Sequence, residues 1–192
     1  QPIKGKWFFR ASYYWPVMIS AIVVGVMWQW ILGDSFGLIN TVLGWMGKDT
    51  IQTLTSGTFA WWAVVLVMVW SRVGYYMIMF VGALLSIPES LYEAAKIDGA
   101  NRWQQFTRIT YPILKPTRIM VSILAVMAVF KVYPLVVTLT GGGPYRATTF
   151  VVQHVYEVAF KQYQVGFASA MSVVMLIIVT LFSGVNFFMS KR

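Results

Sequence analysis

The carboxylates of Glu93 and Asp98 stand in the polar stretch Glu-Ala-Ala-Lys-Ile-Asp-Gly-Ala, residues 93–100, between two long apolar segments. There they offer acceptors to a basic or amide-bearing surface, while the small side chains of Ala94 and Ala95 let such a surface come close. The chain holds nothing that would turn them into a catalytic pair. Its six carboxylates are scattered, His154 is its only histidine, and it has no cysteine. A nucleophile–base cluster, a thiolate metal site and a disulfide framework are therefore excluded. His154 alone cannot hold a metal and reads as a polar residue of an extracytoplasmic loop. Gly141, Gly142 and Gly143 run into Pro144 with no Lys-Ser or Lys-Thr beside them, which suits a chain breaker better than a phosphate cradle. The chain is expected to be neither an enzyme nor the holder of a metal or cofactor.

Arg72 and Lys131 are the other chemically notable residues, because each lies inside an apolar run. A charge at the centre of a membrane helix costs about 2.5–3.5 kcal/mol on insertion scales, so both should face protein or water. Two readings fit them: a polar path through the molecule, or a structural role through pairing with backbone carbonyls and reaching toward an interface. Pro134, close behind Lys131, should bend its helix by removing a backbone hydrogen bond.

The elements that position these residues are read from hydrophobicity. Apolar residues make up 58% of the chain and charged residues 11%, against roughly a quarter charged in soluble domains. Four apolar runs, residues 13–32, 60–85, 119–139 and 167–189, are each long enough to cross a hydrocarbon core of about 30 Å as a helix. None alternates as a strand would. The expected fold is all-α, a polytopic helical membrane protein with one transmembrane domain over residues 1–192 and a loop over residues 86–116.

Basic residues favour the cytoplasmic side. Lys4, Lys6 and Arg10 precede the first run, Lys96, Arg102, Arg108, Lys115 and Arg118 lie between the second and third, and Lys191 and Arg192 follow the fourth. Lys48, Arg146 and Lys161 on the other side are accompanied by Asp34, Asp49 and Glu157. Both ends and the central loop are thus expected in the cytoplasm. The formal charge of +9 reflects this topology, since the cations flank spans instead of gathering on one soluble face with stacking aromatics as nucleic-acid binding requires. Gln1 is not an initiator methionine, and the basic opening reads as a loop entering a membrane helix rather than a signal peptide, so upstream spans are expected.

Within the central loop, Ser86 and Glu89 have capping-box spacing and Pro88 sits where a missing N–H costs nothing. A helix of about three turns should run to Asp98 and end at Gly99 in the left-handed conformation. Asn101 and Gln104 can cap a second helix, with Trp103, Phe106 and Ile109 on one face and Pro112 and Pro116 as its bounds.

The pattern Glu93-Ala94-Ala95-x-x-Asp98-Gly99-Ala100, followed by Phe106, Ile109 and Pro112, closely resembles the EAA loop of permease subunits of bacterial ATP-binding-cassette importers. Ser12 to Pro16 after Phe8-Phe9-Arg10 resembles the family's third span. Gly37-Leu38-Ile39-Asn40 and Thr140-Gly141-Gly142-Gly143-Pro144 resemble signatures of its carbohydrate-uptake branch, the maltose, glycerol-3-phosphate and multiple-sugar type. The resemblance covers nearly the whole chain. It implies a bacterial inner-membrane subunit whose loop couples to a cytoplasmic ATPase through Glu93, Ala94, Ala95, Asp98 and Gly99. The implied partners are a second, homologous permease, two ATP-binding subunits that hold ATP and Mg, and an extracytoplasmic solute-binding protein. Six spans are usual in the family, so the four seen here imply a truncation of about two helices at the amino end.

A sugar presents apolar C–H patches and many hydroxyls, so aromatic faces beside hydroxyl donors suit it. Tyr75, Tyr76, Tyr133, Ser169 and Ser172 join Arg72 and Lys131 as substrate-path candidates. Aromatic residues make up 17% of the chain and most must serve packing, and the small-residue spacing of Gly166/Ala170 and Ala168/Ser172 equally suits close helix contact. Leu38, Ile39, Val42, Leu43 and Met46, and likewise Val152, Val155, Tyr156, Ala159 and Phe160, share helical faces and suggest helices at the membrane surface, as simple cover or as a dock for the binding protein. One alternative is an importer of a non-sugar solute such as a polyamine. Another is an ion-coupled secondary transporter, which would want intramembrane carboxylates; none of the four runs contains one.

Overall fold

The computed structural model describes residues 6–190, and among these the regular structure is entirely helical. Lys4, Lys191 and Arg192, used above to orient the ends, lie outside the described residues. Two helices are long and apolar enough to cross a membrane unbroken: α4 (Gly57–Leu85) and, within α11 (Val165–Ser190), the stretch Val165–Phe188. Two bent pairs reach the same length if each is counted as one crossing.

The first bent pair replaces the single helix expected over residues 13–32. Helix α1 (Lys6–Tyr14) passes into a 3-10 turn at Trp15–Met18, and α2 (Ala21–Leu32) leaves at 106° to it. The cause is local. Pro16 has no N–H to continue α1, and Ile19 and Ser20 are extended, with ψ of 137° and 140°. The run expected over residues 119–139 is also interrupted. Helix α8 (Lys115–Phe130) stops, Lys131 and Val132 bond three residues back to Ala128 and Val129, and α9 (Tyr133–Leu139) starts with Pro134 in its first turn. Pro134 therefore ends one helix and opens another where a bend was expected.

The chain divides into two compact units. The first holds the chain up to Gly74 together with Ala128–Leu176. Its core is a seam of α2, α4 and α9, in which Val24, Val64, Val67, Val136 and Leu139 are almost completely buried. Gly25 makes the α2–α9 contact possible: a Cβ there would overlap the Thr138 hydroxyl and stand 3.0 Å from the Leu135 carbonyl. This unit also contains the short helices α3 (Leu38–Trp45) and α10 (Val151–Tyr156), the latter continued by a π-helical turn at Glu157–Lys161.

The second unit holds Tyr75–Met127 and the chain from Ile177 on. It contains α5 (Glu89–Ile97), α6 (Arg102–Gln105), a π-helical turn at Phe106–Thr110 and α7 (Tyr111–Ile113), which meets α8 at a 61° bend. The capping box expected of Ser86 and Glu89 is not formed. Pro88 is the residue that begins α5, while the Ser86 hydroxyl donates back to the Ala83 carbonyl at 2.8 Å and closes α4. The box expected at the next helix is present: the Gln104 N–H reaches Asn101 Oδ1 at 2.8 Å and the Asn101 N–H reaches Gln104 Oε1 at 2.9 Å. The π turn follows from Pro112, which cannot bond the Arg108 carbonyl; Tyr111 N–H accordingly reaches back five residues to Phe106.

Candidate functional site

Helix α5 presents the five residues expected to couple. Glu93, Ala94, Asp98 and Gly99 are exposed and Ala95 is half-buried. Gly99 has φ of +76°, and the Ala100 N–H closes the helix end onto the Ala95 carbonyl at 2.8 Å. A residue the sequence reading passed over fixes this helix to the next: the hydroxyls of Tyr92 and Thr110 lie 2.7 Å apart, with Thr110 buried. Tyr92 stood beside the motif, but its partner is eighteen positions away and no periodicity pairs them. Beyond it, Trp103 stacks on Phe106 at 5.7 Å, and the Arg118 guanidinium lies 3.6 Å over the Tyr111 ring. Trp103 and Ile97 remain exposed, so the unit that carries Glu89, Glu93 and Asp98 also exposes large apolar side chains.

In the first unit, Arg72 and Lys131 line one cleft of about 80 Å³, together with Pro16, Ser71, Ala128 and Val132. The interruptions that the sequence reading treated as continuous helix build it: the turn after Pro16 forms one wall and the break at Lys131–Val132 another. Pro16 was the signal for the first. Tyr133, Ser169 and Ser172 are not among the lining residues, and Tyr75 and Tyr76 belong to the second unit. Tyr133 instead packs on Tyr156 at 5.2 Å, which packs on Phe160 at 4.9 Å, and the Ser172 hydroxyl is turned onto its own helix at the Ala168 carbonyl. Ser169 is exposed, and Tyr75 and Tyr76 sit edge to face at 5.6 Å.

The two remaining signatures prove to be loop organisers. Asn40 is buried in the first turn of α3, where its side chain donates to the Asp34 and Ile51 carbonyls at 3.0 and 2.9 Å and accepts the Ile51 N–H at 2.8 Å. The Asp34 carboxylate accepts from the N–H groups of Thr53, Leu54 and Thr55 and from the Thr55 hydroxyl. Partial burial pushes its pKa up, but these four donors outweigh it and hold the group below the ordinary carboxylate value. In the glycine loop, the Thr148 hydroxyl bonds the Gly143 carbonyl at 2.7 Å and the buried Gln153 amide donates to the Gly141 carbonyl at 3.0 Å. Over it lies an open hollow of about 430 Å³, with Arg146 and Glu157 3.8 Å apart on its rim and Lys161 nearby. Leu38, Val42 and Met46 of the expected apolar face of α3 are exposed. Among the described residues no cluster of side chains could hold a metal ion.

Comparison with known proteins places this geometry. The pattern of the family described as binding-protein-dependent transport system inner membrane component matches residues 3–192. A Brucella suis biovar 1 protein named "Probable ABC transporter permease protein" is 37% identical over 92% of the chain and 62% of its own length. The "Probable starch degradation products transport system permease protein AmyD" of Thermoanaerobacterium thermosulfurigenes is 30% identical over 96% of the chain and 63% of its own length. The chain thus spans less than two thirds of these relatives. Among solved structures, a chain of a bacterial ABC transporter involved in the import of the acidic polysaccharide alginate shares the fold, with a TM-score of 0.85 at 24% identity, covering all of this chain and 68% of its own. The chain belongs to the family of binding-protein-dependent transport system inner membrane components.

Proposed function

We propose that the chain is part of the transmembrane subunit of an ATP-driven, binding-protein-dependent importer, and that it forms part of the path for a sugar or sugar-like solute. The observation that carries the reading is α5: an exposed helix bearing Glu93 and Asp98, ended by a left-handed Gly99 and tied to the following helix by Tyr92 and Thr110, on a chain with no catalytic or metal-binding constellation among its described residues. Such a helix transmits force only if it is accessible and held in place, and α5 is exposed and hydrogen-bonded to the following turn. Family membership supports the importer class, and the relative named for starch degradation products supports a saccharide. ATP hydrolysis belongs to two cytoplasmic partner subunits, with ATP and Mg bound there. A second homologous permease completes the path, and an extracytoplasmic binding protein delivers the solute to the side bearing α3 and the glycine loop. In this reading the chain crosses a bacterial inner membrane four times, near residues 13–32, 60–85, 119–139 and 167–189, the first and third as broken helices, with both ends and the loop over residues 86–116 in the cytoplasm. Substrate would be handled in the cleft of Arg72 and Lys131, whose affinity must differ between the outward-open and inward-open states for coupling to work.

The chain has no cysteine, so a single cysteine introduced by Lys96→Cys is the only thiol it presents. A thiol-to-amine crosslinker at that site, in native membranes, is expected to capture an ATP-hydrolysing protein identifiable by mass spectrometry. Capture of no such protein, from a variant still inserted in the membrane, counts against the reading.

A further inference from the structure

Two cations of the first unit, Arg72 and Lys131, line one cleft, and no carboxylate lines it with them. All six carboxylates, Asp34, Asp49, Glu89, Glu93, Asp98 and Glu157, lie outside the four apolar runs, and none lines the cleft. The Ser71 hydroxyl on its wall is turned to the Met68 carbonyl at 3.0 Å. Lys131 taken alone has an ordinary explanation, since it follows the last turn of α8, where unpaired carbonyls favour a cation. Arg72 has no such explanation: it lies in the interior of the 29-residue α4, far from either end. Both side chains are exposed on a cleft whose lining includes no carboxylate, so two like charges there favour the entry of a negative group. The volume limits what that can be. The cleft of about 80 Å³ has room for several waters, which admits a carboxylate or phosphate group. Arg offers a fork of donors matched to either oxyanion, and Lys adds a point charge.

We propose that the cleft of Arg72 and Lys131 receives the acidic group of an anionic saccharide, a uronate or a sugar phosphate. The inference rests on the sugar-importer reading and narrows its substrate class.

The test uses the full-length permease purified with its partner subunits, and three probes: trigalacturonate, glucose 6-phosphate and neutral maltotriose. Binding is followed by intrinsic tryptophan fluorescence, and ATPase stimulation is followed in parallel. At least one acidic probe is expected to bind roughly tenfold or more tightly than maltotriose, with an affinity that weakens as salt rises. Arg72→Gln and Lys131→Gln should each remove that advantage, while Lys131→Arg should keep most of it. Maltotriose binding as tightly as the acidic probes in the wild type and in both Gln variants overturns the inference and leaves the sugar reading standing. Silence toward all three probes overturns the sugar reading as well. If the Gln variants lose only co-purifying anionic phospholipid and keep the acidic-sugar preference, a lipid headgroup occupies the cleft and the inference fails. If they lose a partner subunit instead, the counter-charge is a partner's carboxylate, with the same consequence.

Discussion

Gly99 and Tyr92 do different things for the same helix, and a substitution at each separates them. At Gly99 the backbone sits at φ +76° with open space where a Cβ would be, so a side chain meets no neighbour and the whole cost is conformational. A branched residue in the left-handed region costs about 1–2 kcal/mol, whereas asparagine tolerates it. Gly99→Val is therefore expected to leave insertion intact while loosening the end of α5, seen as ATPase activity no longer tied to uptake in reconstituted vesicles; Gly99→Asn should restore most coupling. Full coupling in the Val variant would show that the end of α5 carries no load. Tyr92→Phe keeps the ring and removes the hydroxyl, stranding the buried Thr110 hydroxyl at a cost of about 1–2 kcal/mol. The expected outcome is faster amide hydrogen exchange across α5 and the π turn, with partial loss of coupling, and it should be relieved by adding Thr110→Val, which removes the stranded partner. Unchanged exchange would mean that packing alone joins the two helices.

At the scale of elements, the charge of one side chain, Asp34, ties the end of α2 to the chain that enters α4. Asp34 gathers Thr53, Leu54 and Thr55, and its pKa is lowered because four donors outweigh the desolvation that raises it. A carboxylate with a lowered folded-state pKa contributes stability that is fully present above its unfolded value and is lost as pH falls through the folded one. The loop should thus keep its structure throughout the neutral and mildly acidic range and open only below the ordinary carboxylate range. Asp34→Asn, which keeps the size but loses the charge-assisted acceptors, should cost about 1–2 kcal/mol at neutral pH and flatten that acid transition. Hydrogen exchange at Thr53–Thr55 across pH reads both effects. Neither this clasp nor the one around Asn40 was legible in sequence, because each depends on a partner more than ten positions away in irregular chain. What was legible obeyed local rules: the apolar lengths of α4 and α11, the Asn101–Gln104 box, and the stop at Gly99. Pro134 was visible as a bend and Pro16 was not read as a break, because length and hydropathy cannot distinguish a continuous helix or a bend from a full break. The breaks at Ile19–Ser20 and Lys131–Val132 therefore had to be seen. The site followed the same division: Arg72 and Lys131 stood out as misplaced charges, yet only the folded chain shows them in one cleft, with Tyr133 and Ser172 turned to packing partners.

For the whole molecule, topology decides whether either site can work. The stretch from Ser86 to Arg118 carries five cations, Lys96, Arg102, Arg108, Lys115 and Arg118, and such enrichment holds a loop on the cytoplasmic side. If the central stretch is cytoplasmic, as proposed, the loop of Asn40 and the glycine loop face outward, since α4 lies between the first and the central stretch and α8 with α9 lies between the central stretch and the second. The cysteine-free sequence makes this directly measurable. In intact spheroplasts, single cysteines from Ser35→Cys or Tyr145→Cys, both exposed, should react with a membrane-impermeant maleimide, while Lys96→Cys should react only after the membrane is opened. Labelling of Lys96→Cys in sealed cells would put α5 on the outer face, where no ATP-hydrolysing subunit can reach it. Arg72 and Lys131 would then belong to a path driven by something other than ATP. The opposite pattern would leave both loops outside, beside the expected dock for a binding protein, and α5 inside. That is the one arrangement in which a motor on one side and a delivered solute on the other act on the same chain.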